Sequence, residues 1–415
     1  MAGEWHETTL GKICQQQGGS IQTGPFGSQL HASDYTTTGT PVVMPVNLID
    51  GNVSEQGIAR VSGEMAKKMA RHKLKPDDIV FSRRGDVTRF ALVSERETGW
   101  LCGTGCLKVS LGNPTMAVPE FIAATLASPE AKEWLLRHAV GATMPNLNTE
   151  ILGGIPIALP SLETQVEIGN FLKALKNRID NLRQTNATLE AIAAALFKSR
   201  FVDFDGVPPE DMQESELGLI PKGWRVEGLG TVCENIRKQA RPDALPSGTP
   251  YIGLEHMPRK SIALTEWGVS DGLASGKFWY QPNDVLFGKL RPYFHKVGVT
   301  SHEGVCSTDI LVVRANPQWL GFVAMHLSSD AMISYATQLS NGAKMPRTNW
   351  SDISRHKVAL PNIESASEFD RLIFPMIEKI NENIAAIITL AELRNALLPR
   401  LISGQLRTDG NEARI

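Results

Sequence analysis

Apolar residues recur in alternating steps of four and three along two long stretches of the chain. In the first, Ile168, Leu172, Leu175, Ile179, Leu182, Asn186, Leu189, Ala193, Leu196 and Arg200 fall on one seam. In the second, Phe369, Ile373, Met376, Ile380, Asn383, Ile387, Leu390, Arg394, Leu397 and Leu401 keep the same register. Four heptads at this spacing predict a coiled-coil seam rather than two surface helices, each packed on its own core. Thr164-x-x-Glu167 and Ser365-x-x-Glu368 read as capping boxes that start the two helices. Roughly 36 residues at 1.5 Å each give rods of roughly 55 Å. Pro375 is expected to kink the second in its early turns.

The two amides within the seam set its direction. In a parallel pair Asn186 would face Ile387 and Leu182 would face Asn383, and each contact buries an amide against an alkyl group. Antiparallel pairing sets Asn186 on Asn383, Leu182 on Ile387, Leu189 on Ile380 and Leu172 on Leu397, with Leu175 against Arg394 as the weak layer. An unpaired buried amide costs roughly 1–3 kcal/mol, so the antiparallel register is expected.

A duplication surrounds these helices. Gly141-Ala142-Thr143-Met144-Pro145, Asn148 and Ala158-Leu159-Pro160 return 201 positions later as Gly342-Ala343-Lys344-Met345-Pro346, Asn349 and Ala359-Leu360-Pro361. A fixed offset of this kind marks a repeat architecture. Ahead of each helix lies a strand-rich region. In the first, Leu10 to Cys14 reads as a short strand, the glycine-rich stretch from Gly18 to Ser28 as a loop, and Thr40–Met44, Asp78–Phe81 and Phe90–Val93 as strands. A helix is expected from Glu120 to His138. The second region repeats the order with different loops. The expected fold is α+β: two similar strand-rich domains, residues 1–160 and 206–361, joined by antiparallel coiled-coil helices at 161–205 and 362–405, with an internal pseudo-twofold repeat and a frayed tail at 406–415.

Composition narrows the function. Five cysteines in matched contexts read as core thiols, and the nine histidines have no ligand spacing, so no metal is expected. The amino terminus lacks a basic and then apolar signal region, which makes the cytoplasm the expected location. There is no Gly-x-Gly-x-x-Gly after a strand, no Walker loop and no Asn/Asp-Pro-Pro-aromatic tetrapeptide. Asp77 with Glu130-x-Lys132 is a poor nuclease signal, so the chain is expected to bind rather than catalyse.

A net charge of −2 argues against a nucleic-acid partner until its distribution is followed. Basic residues gather ahead of each helix. In the first region Arg83, Arg84 and Arg89 are the expected DNA contacts, supported by Thr23, Ser28 and Gln29 of the glycine loop. In the second they are Lys289, Arg291, Tyr293 and His295, while Lys344 and Arg347 in the repeated turn suit either DNA or a docked protein. Base edges call for Arg, Lys, Asn or Gln, whereas phosphates accept any cation, hydroxyl or amide. Pairing with Asp86 is the structural alternative for Arg83 and Arg84.

Two variable regions, each closed by Gly-x-x-x-Pro-x-x-Asn…Ile-Pro-x-Ala-Leu-Pro or its counterpart and followed by a heptad helix, resemble the DNA-specificity subunit of type I restriction-modification systems. Each helix ends in Ala195-Leu-Phe-Lys-Ser199 or Leu397-Leu-Pro-Arg-Leu-Ile-Ser-Gly404. The resemblance spans essentially the whole chain. It implies two target-recognition domains, each reading half of a split double-stranded DNA site, with helices that set the spacing and dock two methyltransferase (modification) subunits. Restriction/translocase subunits join that complex, AdoMet and ATP belong to the partners, and the chain itself has neither cofactor nor catalytic residues. An adaptor with two protein-binding domains on a coiled coil is the competing reading.

Overall fold

The computed structural model describes residues 5–141, 143–342 and 344–406. Each long helix begins with a polar cap just after a Leu-Pro pair. Ser161 Oγ accepts the Thr164 N–H (3.3 Å), and Asn362 Oδ1 accepts that of Ser365 (2.9 Å). The helices therefore start three residues before the expected capping boxes, because Ser161 and Asn362 satisfy the free amides of the first turn. They run Leu162–Phe201 and Ile363–Ile402, 40 residues each, and the second continues through Pro375.

The chain forms two compact units, residues 1–178 with 390–415 and residues 179–389. The division falls inside both helices. Within the second unit Asn383 Nδ2 donates to Asn186 Oδ1 (2.8 Å), and Asn186 Nδ2 reaches the Ile380 carbonyl (3.4 Å). Phe201 packs edge-on against Phe369 with ring centres 4.8 Å apart, which fixes an antiparallel direction. In the first unit Ile168 and Leu172 share a core with Leu398 and Leu401.

The seam departs from the heptad register at its ends. Beyond Ala193 the buried positions are Phe197 and Phe201 rather than Leu196 and Arg200, and Ile377 and Leu398 replace Met376 and Leu397. The helix ends turn these side chains into the cores of the globular units, so each stretch of seam is continuous with one core.

Both globular parts follow one plan. In the first, an antiparallel sheet orders its strands Gly18–Thr23, Cys106–Gly112, Ile79–Ser82 and Phe90–Leu92. In the second the equivalents are Cys233–Asn235, Ile310–Ala315, Val285–Gly288 and Val297–Val299. A further sheet in each contains one parallel pair, Thr40–Val43 with Leu101–Cys102 and Pro250–Ile252 with Gly304–Cys306. The strand formed by Pro156–Leu159 pairs with His6–Thr9, and Lys357–Leu360 with Arg225–Gly228.

The repeat is explained residue by residue. Gly141 and Gly342 sit at φ of 117° and 112°, where a Cβ is strained. Asn148 and Asn349 cap the short helices Thr149–Gly153 and Trp350–Ser354. Asp77 and Asn283 both lie at φ 69° in the turn entering a core strand, so the two positions share one backbone role. Ala142 and Ala343 of the repeated turn, and the tail from residue 407, lie outside the described residues.

Three local expectations are corrected. Leu10–Gln16 is a helix capped by Thr9, because Leu10, Ile13 and Cys14 are buried at helical rather than strand spacing. Gly18–Thr23 is a strand rather than a loop: a Cβ on Gly19 would lie 2.0 Å from the Ser110 carbonyl, so glycine is needed for the close pairing. The region 120–138 is two helices, Pro119–Leu126 and Pro129–His138, because Ser128 caps a new start with Pro129 in its first turn.

Candidate nucleic-acid interface

In each unit the strand at the centre of the antiparallel sheet ends in a basic loop, and the repeated turn holds that loop in place. In the first unit the Arg83 N–H donates to the Gly105 carbonyl (2.8 Å), the Leu147 N–H to Arg83 O (2.9 Å) and the Gly85 N–H to Pro145 O (3.1 Å). In the second the same ladder joins Lys289 N–H to Asp309 O (2.9 Å), Thr348 N–H to Lys289 O (3.0 Å) and Arg291 N–H to Pro346 O (2.7 Å). Main-chain bonds depend on no side chain, so one frame carries Arg83-Arg84-Gly85 in one unit and Lys289-Leu290-Arg291 in the other.

The side chains on this frame differ in freedom. Arg84 is exposed and Arg83 half-buried, with its guanidinium 6.0 Å from the ring centre of Phe26. Neither has a carboxylate in ion-pair range among the described residues, and it is Arg89 that pairs with Asp86 (3.1 Å). Burial opposes the charge on Asp86, but bonds from Thr88 and Arg89 outweigh it and hold the pKa below the usual carboxylate value. Ser28 is exposed, and Thr23 is half-buried at a strand end. Gln29 Oε1 accepts from the Phe26 N–H (3.1 Å) and from Arg71 (3.4 Å), so its amide braces the glycine loop.

In the second unit Arg291 reaches the Lys344 carbonyl (3.3 Å), and Arg347 pairs with Asp309 (3.1 Å). Lys344 and Arg347 thus belong to the same patch as Lys289 and Arg291. Tyr293 is exposed and packs against Phe294, ring centres 4.9 Å apart. His295 is a correction. It is buried, its Nε2 is bonded to the Ser328 carbonyl (2.8 Å) and its Nδ1 lies 3.5 Å from Asp330, so it positions the loop rather than offering a ring to a ligand.

The sequence reading missed the apolar members of the patch. Phe26 and Met144 beside the first arginine loop are 52% and 60% exposed, and Met345 in the second is 46% exposed. An exposed large apolar side chain among cations suits contact with base methyl groups and sugars. The duplicated Met-Pro marked Met144 and Met345 in the sequence, while Phe26 lay unremarked in the glycine-rich stretch. Among the described residues there is no His/Cys/Asp/Glu cluster able to hold a metal, and all five cysteines are buried free thiols. No helix among those residues is long and apolar enough to cross a membrane.

The duplicated frame, the variable basic loops and the paired helices define a recognition protein of two related modules. Residues 3–191 match the family described as type I restriction modification DNA specificity domain. It is 25% identical over 308 residues to the type I restriction enzyme MjaIX specificity subunit of Methanocaldococcus jannaschii, covering 70% of each chain. To the HindI specificity subunit of Haemophilus influenzae it is 22% identical over 408 residues, covering 81% of this chain and 88% of that protein. A crystal structure of a type I restriction-modification S subunit from M. genitalium shares the fold, with TM-score 0.59, 15% identity and 96% of each chain covered.

Proposed function

We propose that this chain is the DNA-recognition subunit of a type I restriction-modification complex, with each globular unit reading one half of a split duplex site. The observation that carries this reading is the repeated main-chain ladder, which presents Arg83 and Arg84 in one unit and Lys289 and Arg291 in the other. One scaffold with two sets of side chains is what two unlike half-sites require, since loops on a rigid frame carry specificity. Local cations on a chain of net charge −2 supply phosphate attraction where the loops lie without making the whole surface adhesive. The paired helices set the spacing of the readers and dock two methyltransferase subunits, and restriction subunits join them. The chain takes no direct part in the chemistry; AdoMet and ATP are bound by its partners, in the cytoplasm.

Co-expression with the modification subunits, followed by mapping of methylated adenines in host DNA, tests this. A two-part motif separated by unspecified bases is expected. A single contiguous motif, or no methylation by an assembled complex, contradicts it.

A further inference from the structure

Arg259 stands in a loop whose sequence, Met257-Pro258-Arg259-Lys260, gives no hint of function. In the fold its guanidinium carbon lies 4.3 Å from the centre of the Phe294 ring, while Arg291 approaches the same ring at 5.9 Å. Arg259 is exposed, and no carboxylate among the described residues lies in ion-pair range of it. Its neighbours are engaged: Lys260 pairs with Asp330 (3.7 Å) and Arg347 with Asp309 (3.1 Å). An arginine stacked on a ring keeps its planar fork of donors oriented while leaving them open to a ligand.

The backbone around it is also held in an unusual state. Lys260, Arg291 and His295 have φ of 56°, 51° and 53°, the left-handed region that side chains other than glycine seldom adopt. The Lys260 N–H donates to the His295 carbonyl (2.9 Å), His295 Nε2 is bonded to the Ser328 carbonyl (2.8 Å), and Lys296 Nζ donates to the Leu254 carbonyl. These bonds lock two loops around Phe294. Strained residues persist where the surroundings over-determine them, and they cluster at sites that hold a group for a ligand. The first unit builds its guanidinium–ring contact from other loops, Phe26 with Arg83, as expected of readers for different bases.

We propose that Arg259 is a base-reading residue of the second unit, oriented by Phe294 to donate both fork nitrogens to O6 and N7 of a guanine in the second half-site. The assignment rests on the DNA-reading function proposed above. A guanidinium offers the paired donors that match this edge in the major groove, whereas an ammonium acts as a point charge. Phe294 is the positioning residue and touches no base.

The test uses the full chain co-expressed with its modification subunits, with methylated motifs mapped for wild type, Arg259→Ala, Arg259→Lys and Phe294→Leu. In Arg259→Ala, preference at one guanine of the second half-site should fall by about ten- to a hundredfold, with the first half unchanged. Arg259→Lys should relax the same position, because charge without a fork does not restore the reading. Phe294→Leu should relax it partly and leave other positions alone. A uniform drop across all sites in Arg259→Ala would identify a phosphate contact and overturn the assignment, as would an unchanged motif. A wild-type complex that assembles yet produces no split motif refutes the DNA-reading function, and this assignment falls with it.

Discussion

Replacing Asn383 by leucine isolates the interaction that sets the direction of the helix pair in the second unit. Asn186 and Asn383 are only 4% and 3% exposed, and the 2.8 Å bond between them is the short polar contact of the seam. In Asn383→Leu the Asn186 carbonyl oxygen loses its donor, and its amide keeps only the 3.4 Å contact to the Ile380 carbonyl. A buried polar group left unsatisfied costs about 1–3 kcal/mol, and the added leucine carbons recover only part of that. The double substitution Asn186→Leu with Asn383→Leu removes both amides and leaves an apolar layer, so it should lie within about 1 kcal/mol of wild type or be more stable. The coupling between the two sites is then about 1–3 kcal/mol. Urea unfolding of the full chain, followed by tryptophan fluorescence with the slope held constant across variants, measures it. Additive single costs, with the double variant the least stable of all, would refute the pairing.

Three further outcomes follow from other parts of the molecule. Arg83→Ala should weaken DNA binding by the complex by about 1–3 kcal/mol and relax one base of the first half-site, measured by binding to duplexes varied at each position. Glu190→Ala removes the acceptor of the Ser261 hydroxyl (2.8 Å) and the Ile262 N–H (2.9 Å), and should speed hydrogen exchange at residues 261–263 without altering the first unit. Burial against Phe197 and Phe322, with the charge of His356 a lesser cause, pushes His326 down to about 3. Because the unfolded chain takes up this proton first, stability is full above the ordinary histidine pKa and falls as the pH drops towards 3, by about 2 kcal/mol at pH 5. His326→Leu should flatten that part of the stability–pH curve, and an unchanged slope would contradict the burial argument.

The repeat was legible in the sequence because both copies solve the same backbone problems, a left-handed glycine at 141 and 342 and a helix cap at Asn148 and Asn349. The long helices were legible for a related reason: their apolar positions repeat for many turns, and the two amides admit one sensible partner each. Short segments were not. Gly18–Thr23 looked too polar for a sheet, yet Gly19 is needed for close pairing with a strand far along the chain, which local composition does not reveal. The heptad register also failed at the helix ends, where Phe197 and Phe201 answer to a globular core rather than to a partner helix.

For the candidate site, the arginine cluster could be found from composition, but its frame could not. The ladder that binds residues 83–85 to 145–147 and 289–291 to 346–348 is made of main-chain groups distant in sequence. It moves Lys344 into the patch with Arg291, while burial removes His295 from it. Arg259 was invisible because its significance comes from Phe294, supplied by a separate loop.

The division of labour between the two units is tested most directly by exchanging residues 206–361 for the corresponding region of a relative with a different methylation motif, then mapping methylated adenines in cells that carry the modification subunits. The account predicts a hybrid motif whose first half is that of the parent and whose second half is that of the donor. A change in both halves, from a complex that still assembles and methylates, would contradict it.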